Sequence, residues 1–266
     1  KEAAEIARFF ANPPLPDLHA AFVCPLPDGG LCGLVEVSIQ SSAPGCKTDR
    51  IGYLEGWYVD PEYREMGIGR TLVERAERIL RKALDAADAP EDLRLPWLDP
   101  ANRPALRCLF RASMLAAEYG DRARERGLSE LLLRLNPNDN HGVRAELMNL
   151  LLRLGDDEAA LALAARYGDD LFPELQYGRV LALVRLGREG EAAEAVLRAV
   201  NALPEVRRYL MRERAAQPPL DPRGVTFGGK DQAWLYRDAM RDLWLRHPEA
   251  LALVRKTRPA AKKRAR

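Results

Sequence analysis

The chain has 266 residues, 47% of them hydrophobic and 30% charged, a balance that excludes disordered and fibrous classes and leaves room for one large or two modest domains. No apolar run reaches the roughly 18–20 residues that a membrane-spanning helix needs, so an integral membrane protein of that kind is excluded. The net charge of +2 divides unevenly, into −6 over residues 1–92 and +8 over 93–266, and seven of the basic residues stand in the last twelve.

Lys1–Phe10 is charged and lacks the apolar stretch of a secretory leader. The chain opens on Lys1 rather than Met, so its start is expected upstream. Ala20–Val23 is a short apolar run, and PDGG within Leu26–Gly33 is a turn signal. Leu34, Val35, Val37 and Ile39 then alternate with Glu36 and Ser38, which predicts a hairpin of antiparallel strands. After a loop over Gln40–Arg50, the aromatic and branched run Ile51–Val59 reads as another strand, closed at Asp60–Pro61 because proline cannot continue a ladder. EYREMGIGR follows over Glu62–Arg70. Leu72, Val73, Ala76, Ile79, Leu80 and Ala83 then form one apolar stripe at spacings of three and four, the mark of an amphipathic helix. A turn bearing Gly67 and Gly69 thus stands between a strand and a helix. Its backbone can come close to a ligand, and the helix adds the positive end of its dipole, a combination suited to phosphate or pyrophosphate.

Charge and period both change in ALDAADAPEDLRLP, residues 83–96, beyond which the chain is largely Ala, Leu, Arg and Glu at helical spacing. This predicts one unit over 1–92 and a second of different architecture after it. Gly120-Asp121, Gly155-Asp156 and Gly187-Arg188 recur at spacings of 35 and 32 residues, and Pro137, Pro173 and Pro204 follow them after 17, 18 and 17. Ala160 and Ala192 lie five residues beyond the second and third glycines, where paired helices need a small residue, whereas Glu125 breaks the pattern in the first. A period near 34 fits an all-α, tetratricopeptide-like array over 93–210. Residues 211–254 read as a loop and a terminal helix packing on the repeats. That helix spans 231–246, carries Trp234, Met240, Leu243 and Trp244, and ends at His247-Pro248. Residues 255–266 read as a basic, flexible tail. No aromatic residue interleaves its charges, so a solvated tail is expected rather than a nucleic-acid element.

Four cysteines without a C-x-x-C pair read as free thiols of a reducing cytoplasm. His19, His141 and His247 stand apart, with no metal-ligand spacing, so no metal is expected. With 34 Arg against seven Lys and abundant Ala, the composition points to a GC-rich bacterial source.

The string LVEVSIQSSAPGCKTDRIGYLEGWYVDPEYREMGIGRTLVERAE resembles the aminoglycoside 6'-N-acetyltransferases of the GNAT acetyltransferase superfamily, over about residues 1–83. The resemblance implies a mixed sheet flanked by helices, acetyl-coenzyme A as cosubstrate, and acetyl transfer from its thioester to a small-molecule amine, an aminoglycoside, conferring antibiotic resistance. It also implies a cofactor-binding set of Tyr58, Val59, Arg64, Glu65, Met66, Gly67, Ile68, Gly69 and Arg70, with the amides of Glu65–Arg70 around the pyrophosphate and Tyr58 and Val59 along the pantetheine arm. Glu55 and Trp57 would face the acceptor. The acceptor amine must shed a proton, and Glu55 is the carboxylate candidate for that catalytic role. An acidic unit suits a polycationic acceptor. The family's first strand and helix are expected upstream of Lys1, and its closing strands are not recognisable after the helix. LRLPWLDPANRPALRCLF loosely resembles a further superfamily segment, a strand and then an asparagine leading into a helix, with Asn102 in that place.

Farther on, LRLNPNDNHGVRAELMNLLLRLGDDEAALAL and FGGKDQAWLYRDAMRDLWLRHPEALALVR resemble bacterial relatives of the suppression-of-tumorigenicity-seven family, over about Asp99–Arg255. That resemblance implies a helical-repeat scaffold whose concave face takes a protein or peptide partner. Two functions follow: an acetyltransferase, or an interaction scaffold carrying an inert acetyltransferase remnant.

Overall fold

The alternating segments of the amino-terminal region pair as β1 (His19–Pro25), β2 (Leu31–Gln40) and β3 (Ile51–Val59), in the order β1-β2-β3. The computed structural model describes residues 19–40, 51–86, 92–99, 102–168, 170–221 and 224–259. It divides the chain into two compact units, 1–143 and 144–266. Among the described residues no helix is long and apolar enough to cross a membrane.

In the first unit both strand pairs are antiparallel, and Phe22 faces Val35 in register. The expected mixed sheet is therefore, among the described residues, a purely antiparallel one. A parallel pair needs a strand returning after a crossover helix, whereas residues 92–99 form no strand after α1 (Ile68–Ala86). Their amide at Leu95 instead donates to the carbonyl of Leu135 (2.6 Å). α1 lies on the sheet through Leu72, Val73 and Ala76, all buried.

Two further helices, α2 (Arg103–Glu118) and α3 (Arg122–Leu135), belong to the same unit. Ala105 and Cys108 of α2 share one core with Val35, Leu72 and Ala76, and Phe22, Val59 and Ile68 pack against it. From α3, Arg124 reaches Glu77 (Nη2 to Oε2, 3.0 Å) and Glu74 (Nη1 to Oε1, 3.3 Å) on α1. The expected boundary at residue 92 is thus displaced to 143. The change of composition marks where strands give way to helices, but the apolar face of α1 and the sheet is covered only when α2 is added.

The second unit comprises α4 (Val143–Leu154, whose first residue lies at the boundary), α5 (Asp157–Arg166), α6 (Pro173–Arg185), α7 (Glu189–Ala202), α8 (Pro204–Leu210), α9 (Lys230–Leu245) and α10 (Pro248–Lys256). One turn geometry joins α2 to α3, α4 to α5 and α6 to α7. Gly120, Gly155 and Gly187 have φ of +73°, +80° and +70°. The next amide bonds back five residues in each case: Asp121 to Ala116 (2.9 Å), Asp156 to Leu151 (3.0 Å) and Arg188 to Leu183 (2.9 Å). This is the Schellman ending, which uses a left-handed residue to satisfy carbonyls at a helix end. Asp121 and Asp156 then cap the following helices through Arg124 N and Ala159 N. Ala160 and Ala192 are buried. Glu125 is buried as well, held by Arg122 (2.8 Å).

Pro173 and Pro204 open α6 and α8, whereas Pro137 sits in the turn after α3. The expected single terminal helix is two, because Pro248 both ends α9 and opens α10, proline being tolerated at a first helical position. Arg255 and Lys256, assigned above to the tail, close α10. The core of this unit holds Tyr177, Tyr236 and Trp244. The Tyr177 hydroxyl donates to Leu203 O and the Trp244 indole N–H donates to the Tyr236 hydroxyl, both at 2.9 Å.

Candidate functional site

The end of β3 and the start of α1 make a cleft in the first unit, and their close fit begins with Gly33. This residue pairs with Val59 across the sheet. A Cβ here would lie 2.8 Å from Ile68 Cγ2 and 3.2 Å from Leu72 Cδ1, so the first turn of α1 rests directly on β2. β3 stops where Asp60 N donates to Cys32 O (2.9 Å). A 3-10 turn over Pro61–Tyr63 follows, capped by the Asp60 carboxylate on Glu62 N (3.2 Å). Arg64 Nε donates to Val59 O (3.3 Å) and ties the turn back to the strand.

Glu65 has φ of +68°, unusual for a residue with a side chain, and Gly67 has φ of +80°. Apart from its chain neighbours, no described heavy atom lies within 4 Å of where a Cβ of Gly67 would stand. The backbone of the turn is therefore open to approach, beside a helix start whose first amides have no carbonyl one turn earlier to bond. The cleft formed here measures about 360 Å³ and is lined by Tyr58, Val59, Tyr63, Arg64, Glu65, Gly69 and Arg111. That size is within the common range of ligand pockets.

Of the nine residues in the expected cofactor set, Tyr58, Val59, Arg64, Glu65 and Gly69 meet in the cleft. Met66, Gly67, Ile68 and Arg70 are not among its lining residues. Ile68 packs against the core. Met66 is exposed, with 68% of its surface accessible. The side chain of Arg70 is engaged elsewhere, on Glu74 (Nε to Oε1, 2.9 Å) and over the ring of Tyr119 (3.9 Å). Its bond to Glu74 holds the arginine pKa up and the carboxyl of Glu74 down.

For Glu55 and Trp57 the backbone is described and the side chains lie outside the described residues. The β2–β3 register runs from Glu36 opposite Gly56 to Val37 opposite Leu54. Glu55 is thus the extra residue of a β-bulge, a device that re-aims a strand locally. The loop over 41–50, with Cys46, lies outside the described residues.

Arg111, Tyr63 and Gly33 were absent from the sequence-derived site. Arg103, Arg107 and Arg111 recur every four residues, a spacing that places them along one side of a helix and could have drawn attention to α2. Asn102 does lead into α2, but it is buried, and its side chain donates to Pro96 O (3.0 Å), bracing the segment before the helix. Cys108 is also buried, which pushes its thiol up to about 12 and leaves no thiolate for nucleophilic chemistry near neutrality.

The sequence profile of the acetyltransferase (GNAT) family matches residues 6–111. Aminoglycoside N(6')-acetyltransferase type 1 of Klebsiella aerogenes is 37% identical over 78 residues, covering 29% of this chain and 51% of that protein. The protein of the same name from Stenotrophomonas maltophilia is 34% identical over 65 residues, covering 24% of this chain and 42% of the relative. The chain thus spans about half the length, or less, of the curated relatives it matches. Among solved structures, the apo aminoglycoside antibiotic 6'-N-acetyltransferase of Acinetobacter haemolyticus is 24% identical, with 30% of this chain and 53% of that one covered and a TM-score of 0.25.

Proposed function

We propose, for a chain whose amino-terminal part is a GNAT acetyltransferase domain with aminoglycoside 6'-N-acetyltransferase homologues, that the cleft binds acetyl-coenzyme A and that the acetyl group passes to an aminoglycoside amine in a bacterial cytoplasm. One observation carries this reading: the family match, residues 6–111, takes in every residue that lines the cleft, with Arg111 as its last.

Arg64, Gly69 and the open backbone at Gly67 would hold the phosphates, and Tyr58 and Val59 the arm leading to the thioester. In the transfer, the amine nitrogen forms a bond to the acetyl carbonyl carbon, the carbon–sulfur bond breaks, and coenzyme A leaves as the thiol. The amine must lose a proton, and Glu55, at the bulge in β3, is the group proposed to take it. Binding and turnover use different parts of such a site and respond separately to substitution.

Thiol release from acetyl-coenzyme A, measured against a panel of aminoglycosides, tests the reading together with calorimetry of coenzyme A binding. The expected outcome is measurable binding with slow acetylation. Glu55→Gln lowers the rate and leaves coenzyme A affinity unchanged, and Gly67→Val weakens binding by forcing a branched side chain into a left-handed position at the phosphate approach. A protein that binds no coenzyme A overturns the reading.

The repeated turn at Gly120, Gly155 and Gly187 favours a second reading, a tetratricopeptide-like scaffold for a protein or peptide that carries an inert acetyltransferase remnant. Thiol release that is absent while coenzyme A binding is also absent would leave the scaffold as the better account.

A further inference from the structure

We infer that Cys24 and Cys32 form a redox-modification site, a dithiol that a small-molecule disulfide of the glutathione type closes into a Cys24–Cys32 disulfide. The inference stands apart from what the cleft binds. Both thiols are free in this structure. They belong to neighbouring strands, β1 and β2, and the register of those strands brings them together. Cys24 faces Gly33 and Pro25 faces Leu31, so Cys32 is the extra residue of a β-bulge opposite the Cys24–Pro25 step. In a regular ladder Cys32 would alternate with Gly33 and point to the other face of the sheet. The bulge removes that alternation at this one place.

Phe22 faces Val35, and both pack in the core that holds Leu72. Cys24, two residues on, lies on the same face of β1, opposite the glycine whose Cβ would meet Ile68 and Leu72. Cys32 is 2% exposed, and its thiol donates to the Cys24 carbonyl (3.3 Å), so its side chain is turned across toward β1. Burial, and then the Cys24 side chain beside it, push the Cys32 thiol up. Facing Cα atoms of an antiparallel pair lie about 4.5–5.5 Å apart, inside the range that a disulfide bridges. Access assigns the order of events, because Cys24 is half-buried and Cys32 is buried. Cys24, as its thiolate, attacks one sulfur of oxidised glutathione, whose S–S bond breaks and releases one glutathione thiol. The sulfur of Cys32 then bonds to that of Cys24, and the second glutathione leaves as a thiol. Two protein thiols are oxidised, one small disulfide is reduced to two thiols, and the two protons pass from the protein thiols to glutathione. The new bond closes beside the end of β3, since Cys32 O accepts from Asp60 N (2.9 Å).

The test incubates the folded, reduced full chain with oxidised glutathione, quenches it in acid and maps the cysteines by mass spectrometry after cleavage before Asp28, which lies between the two. A Cys46→Ser background removes the other cysteine of the second fragment. The expected product is the two fragments joined through Cys24 and Cys32, lighter than the separate thiols by two hydrogens. Adding Cys32→Ser should trap glutathione on Cys24, because the resolving thiol is gone. Adding Cys24→Ser should leave Cys32 unmodified over the same time, because it is buried. Cys108, also buried, should react only after unfolding in urea, which shows that the reaction reads the fold. Circular dichroism checks each variant, and Cys32→Ala replaces the serine variant if that one does not fold. Absence of the Cys24–Cys32 bond in the folded protein overturns the inference. So does glutathione that reaches Cys32 in the Cys24→Ser variant as fast as it reaches Cys24 in the Cys32→Ser variant.

Discussion

The two units use their polar side chains in different ways. In the first, Tyr58, Arg64, Glu65 and Arg111 converge on an open cleft. In the second, the large polar side chains turn inward or onto backbone carbonyls: Tyr177 on Leu203 O, Trp244 on the Tyr236 hydroxyl, Arg207 on Val254 O, and Arg237 on Tyr209 O. The first arrangement gathers polar and charged side chains around one open space. The second spends them on the fold, because a buried polar group without a partner is costly. The contrast teaches that the first unit gathers polar side chains at a cleft, whereas the helical unit uses them to close its aromatic centre.

The comparison can be broken most severely at Trp244. Its ring is fully buried and lies 6.3 Å from the ring of Tyr177. Trp244→Ala is expected to cost about 3–5 kcal/mol, by loss of burial and creation of a cavity. Denaturant unfolding followed by far-ultraviolet circular dichroism would record it, and a shift below about 1 kcal/mol would mean that the aromatic centre does not govern this unit.

Glu174 is the exception within the inward-facing set, and it sharpens the comparison. Its Oε2 is buried with no hydrogen-bond partner among the described residues. Burial, then the nearby charges of Glu146 and Asp170, raise its pKa from 4.5 to about 7. A carboxyl raised in the folded state binds more protons there than in the unfolded chain, so stability is highest below pH 4.5 with respect to this group and falls as pH rises from about 4.5 to 7. Glu174→Gln should therefore stabilise the protein at pH 8 by on the order of 2 kcal/mol and flatten the pH dependence across that window. Melting temperatures of both proteins at pH 5 and pH 8 supply the check. A gap that fails to widen toward pH 8 would contradict the assignment.

On the cleft side, Gly33→Val should cost about 2 kcal/mol by overpacking against Ile68 and Leu72. It should also weaken coenzyme A binding, because the displaced helix start forms one wall. Stability lost with affinity intact would show that the cleft tolerates movement of α1. The smallest effect is expected at the repeated turn, where Gly155→Ala should cost about 1 kcal/mol by placing a side chain at left-handed φ. A thermal melt that shows no change would remove the turn from the account of stability.

What the amino-acid sequence determined by itself is local. Alternation over Leu34–Ile39 and the branched run Ile51–Val59 specify strands, the three-and-four spacing after Arg70 specifies α1, and Gly-Asp pairs followed by helical spacing specify the turns at Gly120 and Gly155. Each signal acts within a few residues, since it reflects side-chain periodicity or a φ that glycine tolerates. The turn bearing Gly67 and Gly69, within EYREMGIGR, was legible for the same reason. Tertiary structure alone decided which of its side chains face a cleft. Arg70 turns to Glu74 and Tyr119, outside it, whereas Arg111, 47 residues beyond Arg64, enters. It also decided that α2 completes the core begun by the sheet, so that the compositional change near residue 92 is no boundary of packing. Composition records what each segment prefers locally. A shared core and a cleft wall depend on how distant segments bury one another's apolar faces, and no local pattern encodes that pairing.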